Sequence, residues 1–224
     1  MLKLGLDLSL SSIKTLGAWS PDDETYLVAW YKNATGITLN GSDVSKWNDS
    51  SSNSYDMVQA TASEQPAYND GDIDFVAADT QNLQTTGQIG LLGVFTIGIR
   101  LNPDSVNVVV LGDNTSGGEF LKIQSSSVFK VKIGGTEVEL SLNSGSFGDD
   151  YLVITRNASN LITLYRNGTV QTDTETLSGT SLIDTIGVRR TDLNAYDGTI
   201  SEIQIYAAES SSLTANVNDY LSQL

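Results

Sequence analysis

The sequence of 224 residues contains no cysteine and no histidine. These absences exclude disulfides, thiol nucleophiles, zinc-finger sites and every catalytic triad that uses histidine as its base. They also remove the most common protein ligand of transition metals. A metal bound to this chain would therefore be a hard cation held by oxygen atoms, with Ca²⁺ as the first candidate.

Basic residues are scarce, since 12 Lys and Arg stand against 27 Asp and Glu, for a formal net charge of −15. Nucleic acids and anionic membranes both require a cationic surface, so neither is an expected partner. No apolar run approaches the roughly 18 residues of a membrane span. The first residues alternate polar and apolar types, which is not the continuous apolar stretch of a signal peptide.

The sequence is rich in short β-branched runs, separated by turns of Gly, Ser, Thr and Asn, and has only 3 prolines. This spacing predicts a single all-β sandwich domain. In one such run, Val131 and Ile133 alternate with Lys130 and Lys132, which indicates a strand with one solvated face. The pair Gly134-Gly135 then predicts a two-residue hairpin turn.

The most specific local pattern lies in residues 162–206. Asn167-Gly168 follows an apolar strand directly, and this pair favours a type I′ turn because both residues tolerate positive φ. Residues 199–206 alternate cleanly and place Ile203 and Ile205 on one face. The region is therefore predicted to form a strand, a tight turn, a strand, a second turn and a strand.

One helix is predicted, at the end of the chain. Ser211 or Ser212 would cap it. Apolar residues recur at helical spacing, namely Leu213, Val217, Tyr220, Leu221 and Leu224. We expect this helix to pack as a lid on one end or edge of the sandwich, where it would protect an exposed strand.

Residues 1–24 are interpreted as an N-terminal extended arm and linker, and residues 25–224 as the main domain. The arm carries a leucine at every second position, so that all five lie on one face of an extended strand: Leu2, Leu4, Leu6, Leu8 and Leu10. One interpretation is the first strand of the sandwich. The other is a surface that docks onto another protein, because a lone strand cannot bury five leucines.

Several segments of the sequence resemble a known superfamily. Leu164-Tyr165-Arg166-Asn167-Gly168, Ile186-Gly187, the stretch YDGTISEIQIY at residues 196–206 and Leu213-Thr214 are similar to the laminin-G-like, concanavalin A-like jelly rolls, in the form found in bacteriophage virion proteins. The resemblance covers residues 25–224. It implies a two-sheet antiparallel jelly-roll sandwich, but this fold hosts lectins, glycosidases, adhesion modules and structural domains alike.

Catalysis on this fold would require two neighbouring carboxylates. Related glucanases carry an E-x-D-x-x-E arrangement, which this sequence lacks. The nearest acidic pair is Glu137 and Glu139, which lie on one strand face beside a Gly-Gly turn. We interpret this pair as a solvated hairpin face and predict that the protein is not an enzyme.

The resemblance also bears on Ca²⁺, because laminin-G-like domains often hold calcium at the rim of the sandwich. Asp192, Asn194 and Asp197 share one loop, and Asp113-Asn114 forms another turn. The alternative is that these residues serve the backbone of their turns. No cofactor is predicted, and Ca²⁺ stays the open alternative.

Three tryptophans are candidates for stacking on sugars: Trp19, Trp30 and Trp47. Trp30 lies inside an apolar strand and is expected in the core. Trp47 lies in a polar stretch, where a carbohydrate-binding role and a structural role both stay open.

Two functions follow from these observations. The first is a virion structural protein, such as a capsid decoration protein, a head fibre or a tail-associated module, located in the virion and anchored by the leucine arm to other virion proteins. The alternative is a lectin-like carbohydrate-binding module that attaches to host-surface glycans. A glycoside hydrolase is the least favoured. Phage appendages are often trimers, which leaves a homo-oligomer open.

Overall fold

The structure is a computed structural model, and it describes residues 19–115 and 118–224. The leucines of the predicted arm, Leu2, Leu4, Leu6, Leu8 and Leu10, lie outside the described residues. Their partner-binding role therefore stays a prediction.

Within the described residues the chain forms seventeen strands, three short 3₁₀ turns and one α-helix. The strands are β1 (Leu27–Tyr31), β2 (Ile37–Asn40), β3 (Asp43–Trp47), β4 (Met57–Val58), β5 (Ala67–Asn69), β6 (Asp72–Phe75), β7 (Leu83–Leu91), β8 (Phe95–Pro103), β9 (Val108–Gly112), β10 (Phe120–Ser125), β11 (Val128–Ile133), β12 (Thr136–Ser141), β13 (Asp150–Arg156), β14 (Leu161–Arg166), β15 (Thr169–Thr176), β16 (Ser181–Ile186) and β17 (Gly198–Tyr206). The 3₁₀ turns are Pro21–Asp23, Ala62–Glu64 and Ala77–Asp79, and the helix is α1 (Ser211–Leu221).

The strands pair antiparallel in two layers. In the first sheet, β1 and β6 share one edge of β17, and β8, β13, β14 and β15 follow on its other side. The second sheet runs in the order β2, β3, β4, β7, β16, β9, β10, β11 and β12. Strand β5 pairs with both β3 and β6 and so links the layers. The predicted two-sheet antiparallel jelly-roll sandwich is confirmed.

Inward-facing and outward-facing residues alternate along the strands, and the inward-facing ones form the core between the two sheets. In β11, Phe129, Val131 and Ile133 are buried in the core, whereas Lys130 and Lys132 lie on the outer face. The prediction of a half-solvated strand is confirmed, and the outer face of the second sheet is thereby a charged surface.

Both predicted hairpin turns are present. Asn167 and Gly168 have φ values of 49° and 73°, and Gly134 and Gly135 have φ values of 57° and 81°. Positive φ at both central residues is the signature of a type I′ turn, whose twist matches that of the strands it joins. The turns therefore fix the pairing of β14 with β15 and of β11 with β12.

Helix α1 departs from its prediction in three respects. It ends at Leu221, so Leu224 of the predicted apolar stripe lies beyond it. Its N-cap is Ser210, one residue before the two predicted caps, and the Ser210 side chain accepts from the Leu213 backbone N–H at 3.1 Å. The helix also lies on the outer face of the first sheet, against β8 and β13, rather than on an end or edge. Gly98 in β8 explains this position, because a Cβ there would lie 2.5 Å from a methyl carbon of Val217.

The described part of the predicted arm packs on the same face. The ring of Trp19 lies 6.5 Å from that of Tyr206, and Pro21 is buried. The Trp19 indole N–H donates to the Glu24 carboxylate at 2.9 Å, which fixes the ring over the first sheet. Residues 19–24 thus form part of the surface around α1.

In residues 19–115 and 118–224, the structure contains no helix with the length and hydropathy that a membrane span requires.

Candidate functional site

Trp47 is a core residue, which corrects the interpretation of its ring as a platform for sugars. Its side chain is fully buried, and its ring lies 5.6 Å from that of Tyr31. The indole N–H donates to the Lys32 carbonyl at 3.2 Å. Its sequence neighbours Lys46 and Asn48 are polar, but β3 turns Trp47 inward. A buried ring has no face on which a saccharide could stack.

The acidic pair Glu137 and Glu139 lies on the outer face of β12, as predicted. Both carboxylates pair with Lys130 of the neighbouring strand, at 3.4 and 3.0 Å. They are about half exposed. This geometry is that of a solvated ion-pair ladder across two strands.

The residues considered for Ca²⁺ form hydrogen bonds with other groups of the protein. Asp197 accepts a backbone N–H at 3.3 Å, and Asp192 accepts from the Asn114 side-chain amide at 3.0 Å. Asn194 donates to a backbone carbonyl at 3.0 Å, and buried Asp113 accepts from two backbone N–H groups of its own turn at 3.0 and 3.1 Å. Across the described ranges, no three acidic side chains are grouped to hold a metal ion. Asp113, Asn194 and Asp197 thus bond backbone groups, whereas Asp192 bonds the Asn114 side chain.

The candidate site is a groove beside helix α1, called here the α1 groove. It has a volume of about 330 Å³ and is lined by Trp19, Asn216, Asp219, Tyr220, Gln223 and Leu224. The rings of Trp19 and Tyr220 meet edge to face, with their centroids 6.1 Å apart. The groove thus combines an aromatic wall with amide and carboxylate side chains.

Helical spacing produces this arrangement. Asn216 and Tyr220 are separated by four residues and therefore lie on one side of α1. Gln223 follows in the turn after the helix. Trp19 arrives from the segment before β1 and completes the aromatic wall. Below it, Trp30 lies with its ring 6.3 Å from that of Tyr220. Burial raises the pKa of Tyr220 to about 12, so its hydroxyl stays protonated at neutral pH and can donate a hydrogen bond.

A buried polar network supports the groove from beneath. Glu202 accepts from the Trp30 indole N–H at 2.5 Å, from the Asn33 backbone N–H at 2.5 Å and from the Gln204 amide at 3.0 Å. Gln204 accepts in turn from the Tyr206 hydroxyl at 2.9 Å. Burial raises the pKa of Glu202 to about 7, although these donors oppose that shift. The network holds Trp30 and Tyr206 in place under the aromatic wall.

A second groove, called here the tyrosine groove, lies on the other side of α1. Its volume is also about 330 Å³, and it is lined by Tyr151, Tyr165, Gly168, Ser211, Thr214, Ala215, Asn218 and Asp219. Asp219 borders both grooves. Among the described residues, the side-chain oxygen of Asn218 is buried without a hydrogen-bond partner. Aromatic rings and polar side chains thus flank the helix on both sides.

The sequence patterns do not predict this site. Tyr220 is predicted in the apolar stripe of the helix, and Trp19, although named as a candidate for stacking on sugars, is predicted in the linker. The available signal is that Asn216, one turn before Tyr220 on the helix, and Gln223, just after the helix, are polar amides.

No protein-family model and no curated protein matches the chain. Among solved structures, it is similar to domain 4 of a GH43 extracellular arabinanase from Geobacillus stearothermophilus, in complex with arabinotriose. The TM-score is 0.57 at 16% identity, covering 88% of this chain and 98% of that one.

Two toxin structures are similar as well. The binding domain of Paraclostridial Mosquitocidal Protein 1 gives a TM-score of 0.55 at 13% identity, covering 91% of this chain and 53% of that one. A structure of botulinum neurotoxin type C, whose cell entry depends on two ganglioside molecules, gives 0.51 at 15% identity, covering 90% and 52%. The chain thus spans about half of each toxin chain.

At these identities the likeness establishes the fold alone: the chain is a jelly roll, the fold it shares with the arabinanase domain and the two toxin structures. The form specific to bacteriophage virions finds no support among these neighbours.

Proposed function

We propose that this chain is a non-catalytic carbohydrate-binding module and that the α1 groove is its saccharide site. The observation that carries the proposal is the edge-to-face pair of Trp19 and Tyr220 in a groove bordered by Asn216, Asp219 and Gln223. The GH43 domain in complex with arabinotriose and the neurotoxin that interacts with gangliosides support it, because both share the fold.

The chemistry of the groove suits a saccharide. A sugar ring presents C–H groups on its faces, which pack on aromatic rings, and hydroxyl groups around its edge. Amide side chains both donate and accept hydrogen bonds, and a carboxylate accepts them, so they can pair with those hydroxyls. A mostly apolar groove with a few polar groups is also the usual form of a small-ligand site.

The proposal excludes hydrolysis on geometric grounds. Hydrolysis of a glycosidic bond uses two carboxylates on opposite sides of the bond. Among the described residues that line the α1 groove, Asp219 is the one acidic side chain. Glu202, whose pKa is the most suited to an acid, is fully buried beneath the groove and held by three donors.

The test is a glycan array of neutral and acidic oligosaccharides, probed with the full chain. We expect a defined group of glycans to be retained, and Trp19→Ala or Tyr220→Ala to weaken that binding about tenfold or more. Tyr26→Ala is the matched control, because Tyr26 is 63% exposed and does not line the groove. Retention of no glycan, or equal binding by wild type, Trp19→Ala and Tyr220→Ala, would overturn the proposal.

The role as a virion structural protein, with capsid or tail partners, stays a prediction. It rests on the leucine face of the arm, which lies outside the described residues. Particle incorporation of a chain lacking residues 2–10 would test it, since unchanged incorporation contradicts an anchoring role.

A further inference from the structure

On the outer face of the second sheet, the cationic side chains of β10 and β11 lie beside the carboxylates of Glu137 and Glu139 on β12. Lys122 of β10 lies directly opposite Lys130 of β11, and Phe120 lies opposite Lys132. The guanidinium of Arg189 and the ammonium of Lys122 both lie over the ring of Phe120, at 5.1 and 5.8 Å from its centroid. We call Phe120, Lys122, Lys130 and Arg189 the cationic face.

Lys122 differs from the other cations of this face. Lys122 is only 6% exposed. Within residues 19–115 and 118–224 its ammonium group forms no hydrogen bond or ion pair. Lys130, by contrast, is held by two carboxylates, and the Nε–H of Arg189 donates to the Asn194 side-chain oxygen at 2.9 Å.

A lysine in this environment lacks a counter-charge. Removing an ammonium group from water without supplying an anion costs free energy. Burial lowers the pKa of Lys122, and the nearby charges of Arg189 and Lys130 lower it further, against a smaller opposing influence of Glu137 and Glu139. An anionic group placed beside Lys122 would relieve both effects, because it attracts the ammonium and offsets the neighbouring cations.

We propose that the cationic face is a second binding site, separate from the α1 groove, which takes the carboxylate of an acidic saccharide. Lys122 and Arg189 bind the carboxylate, and the buried ring of Phe120, over which both cations lie, forms the base of the site. The inference takes from the proposed function only that the ligand is a saccharide.

The overall charge of the protein limits how many negative charges a ligand of this site can carry. A net charge of −15 repels polyanions at long range, so extended polymers such as nucleic acids approach unfavourably. A single carboxylate is repelled much less and meets the local positive potential at short range. A monoacidic oligosaccharide fits both conditions.

The test compares sialyllactose, which carries one carboxylate, with lactose and with sodium sulfate, by isothermal titration calorimetry on the full chain. We expect sialyllactose to bind, its affinity to fall with added NaCl, and Lys122→Met to weaken it about tenfold or more. Lys46→Met is the matched control, because Lys46 of β3 is partly exposed and forms an ion pair with Asp56. Lys122→Met removes an unpaired charge, so its melting temperature should equal or exceed that of the wild type.

Other results overturn the inference. These are no binding of sialyllactose, equal binding of lactose, sulfate binding as tight as sialyllactose, or equal losses in Lys122→Met and Lys46→Met. If Lys122→Met does not fold, Arg189→Gln replaces it, with the same loss expected. Trp19→Ala separates the two proposals: it should abolish binding in the α1 groove while leaving the Lys122-dependent binding of sialyllactose intact.

Discussion

Trp30 and Glu202 are joined by a hydrogen bond of 2.5 Å, from the indole N–H to a carboxylate oxygen, across the pairing of β1 with β17. Two further donors, Asn33 and Gln204, complete the coordination of this buried carboxyl group. Because burial outweighs them, the pKa of Glu202 rises from 4.5 to about 7. We therefore expect the polar network beneath the α1 groove to respond to pH near neutrality.

Glu202 should make the folded protein more stable in mild acid than at pH 8. A carboxyl group with a raised pKa binds its proton more tightly in the folded than in the unfolded state, so stability falls as pH rises between about 4.5 and 7. A rise of this size corresponds to about 3 kcal/mol across the window. Urea unfolding at pH 5, 6, 7 and 8 measures it.

Glu202→Gln is the matched variant for this measurement. The amide cannot ionise, so the contribution of this position to the slope of stability against pH should vanish, whatever the change in absolute stability. Asp72 and Asp74 also have pKa values raised by burial, and they keep a residual slope of the same sign. An identical slope in wild type and Glu202→Gln would contradict this account of Glu202.

Gly98 should be required for the docking of helix α1. A Cβ at this position would lie 2.5 Å from Val217 and 3.1 Å from Leu221. We expect Gly98→Ala to lower the free energy of unfolding by about 1–3 kcal/mol, as overpacking does. Gly148→Ala is the control, because a Cβ there meets nothing within 4 Å. Equal stability of Gly98→Ala and Gly148→Ala would show that the helix does not rest on this strand.

Arg156 should not tolerate lysine. Its guanidinium is buried and donates to the carbonyls of Gly93 at 2.7 Å, Gly179 at 2.8 Å and Leu91 at 3.1 Å. An ammonium group cannot reach three carbonyls in this fork, and each buried carbonyl left unpaired costs about 1–3 kcal/mol. Thermal unfolding of Arg156→Lys should show a large loss. Arg100→Lys, in a partly exposed pair with Asp149, should show little; similar losses in both would contradict the prediction.

The sequence suffices to predict those elements whose conformation depends on neighbouring residues, such as hairpin turns and alternating strands. Asn167-Gly168 and Gly134-Gly135 form the expected turns because their backbone angles depend on few other residues. Strand β17 is also predicted correctly, because alternation with a period of two places Ile203 and Ile205 on the same face, which is the core face. These features sufficed for the class of fold.

The candidate site depends on contacts between distant residues, which no local pattern contains. Trp19 and Tyr220 are separated by 201 positions and meet only because α1 crosses the outer face of the first sheet. Trp47 has polar neighbours in sequence but is buried by its sheet. Lys122 and Arg189 likewise meet only in the folded chain, over the ring of Phe120.

The most direct measurement uses the indole signals of Trp19 and Trp47 as reporters in ¹⁵N-HSQC spectra, during titration with a glycan retained on the array. The indole signal of Trp19, which lines the α1 groove, should shift progressively and saturate with the glycan concentration. The indole of Trp47, fully buried and bonded to the Lys32 carbonyl, should stay unchanged. Saturable binding that leaves the Trp19 signal unmoved would contradict the assignment of the α1 groove as the saccharide site.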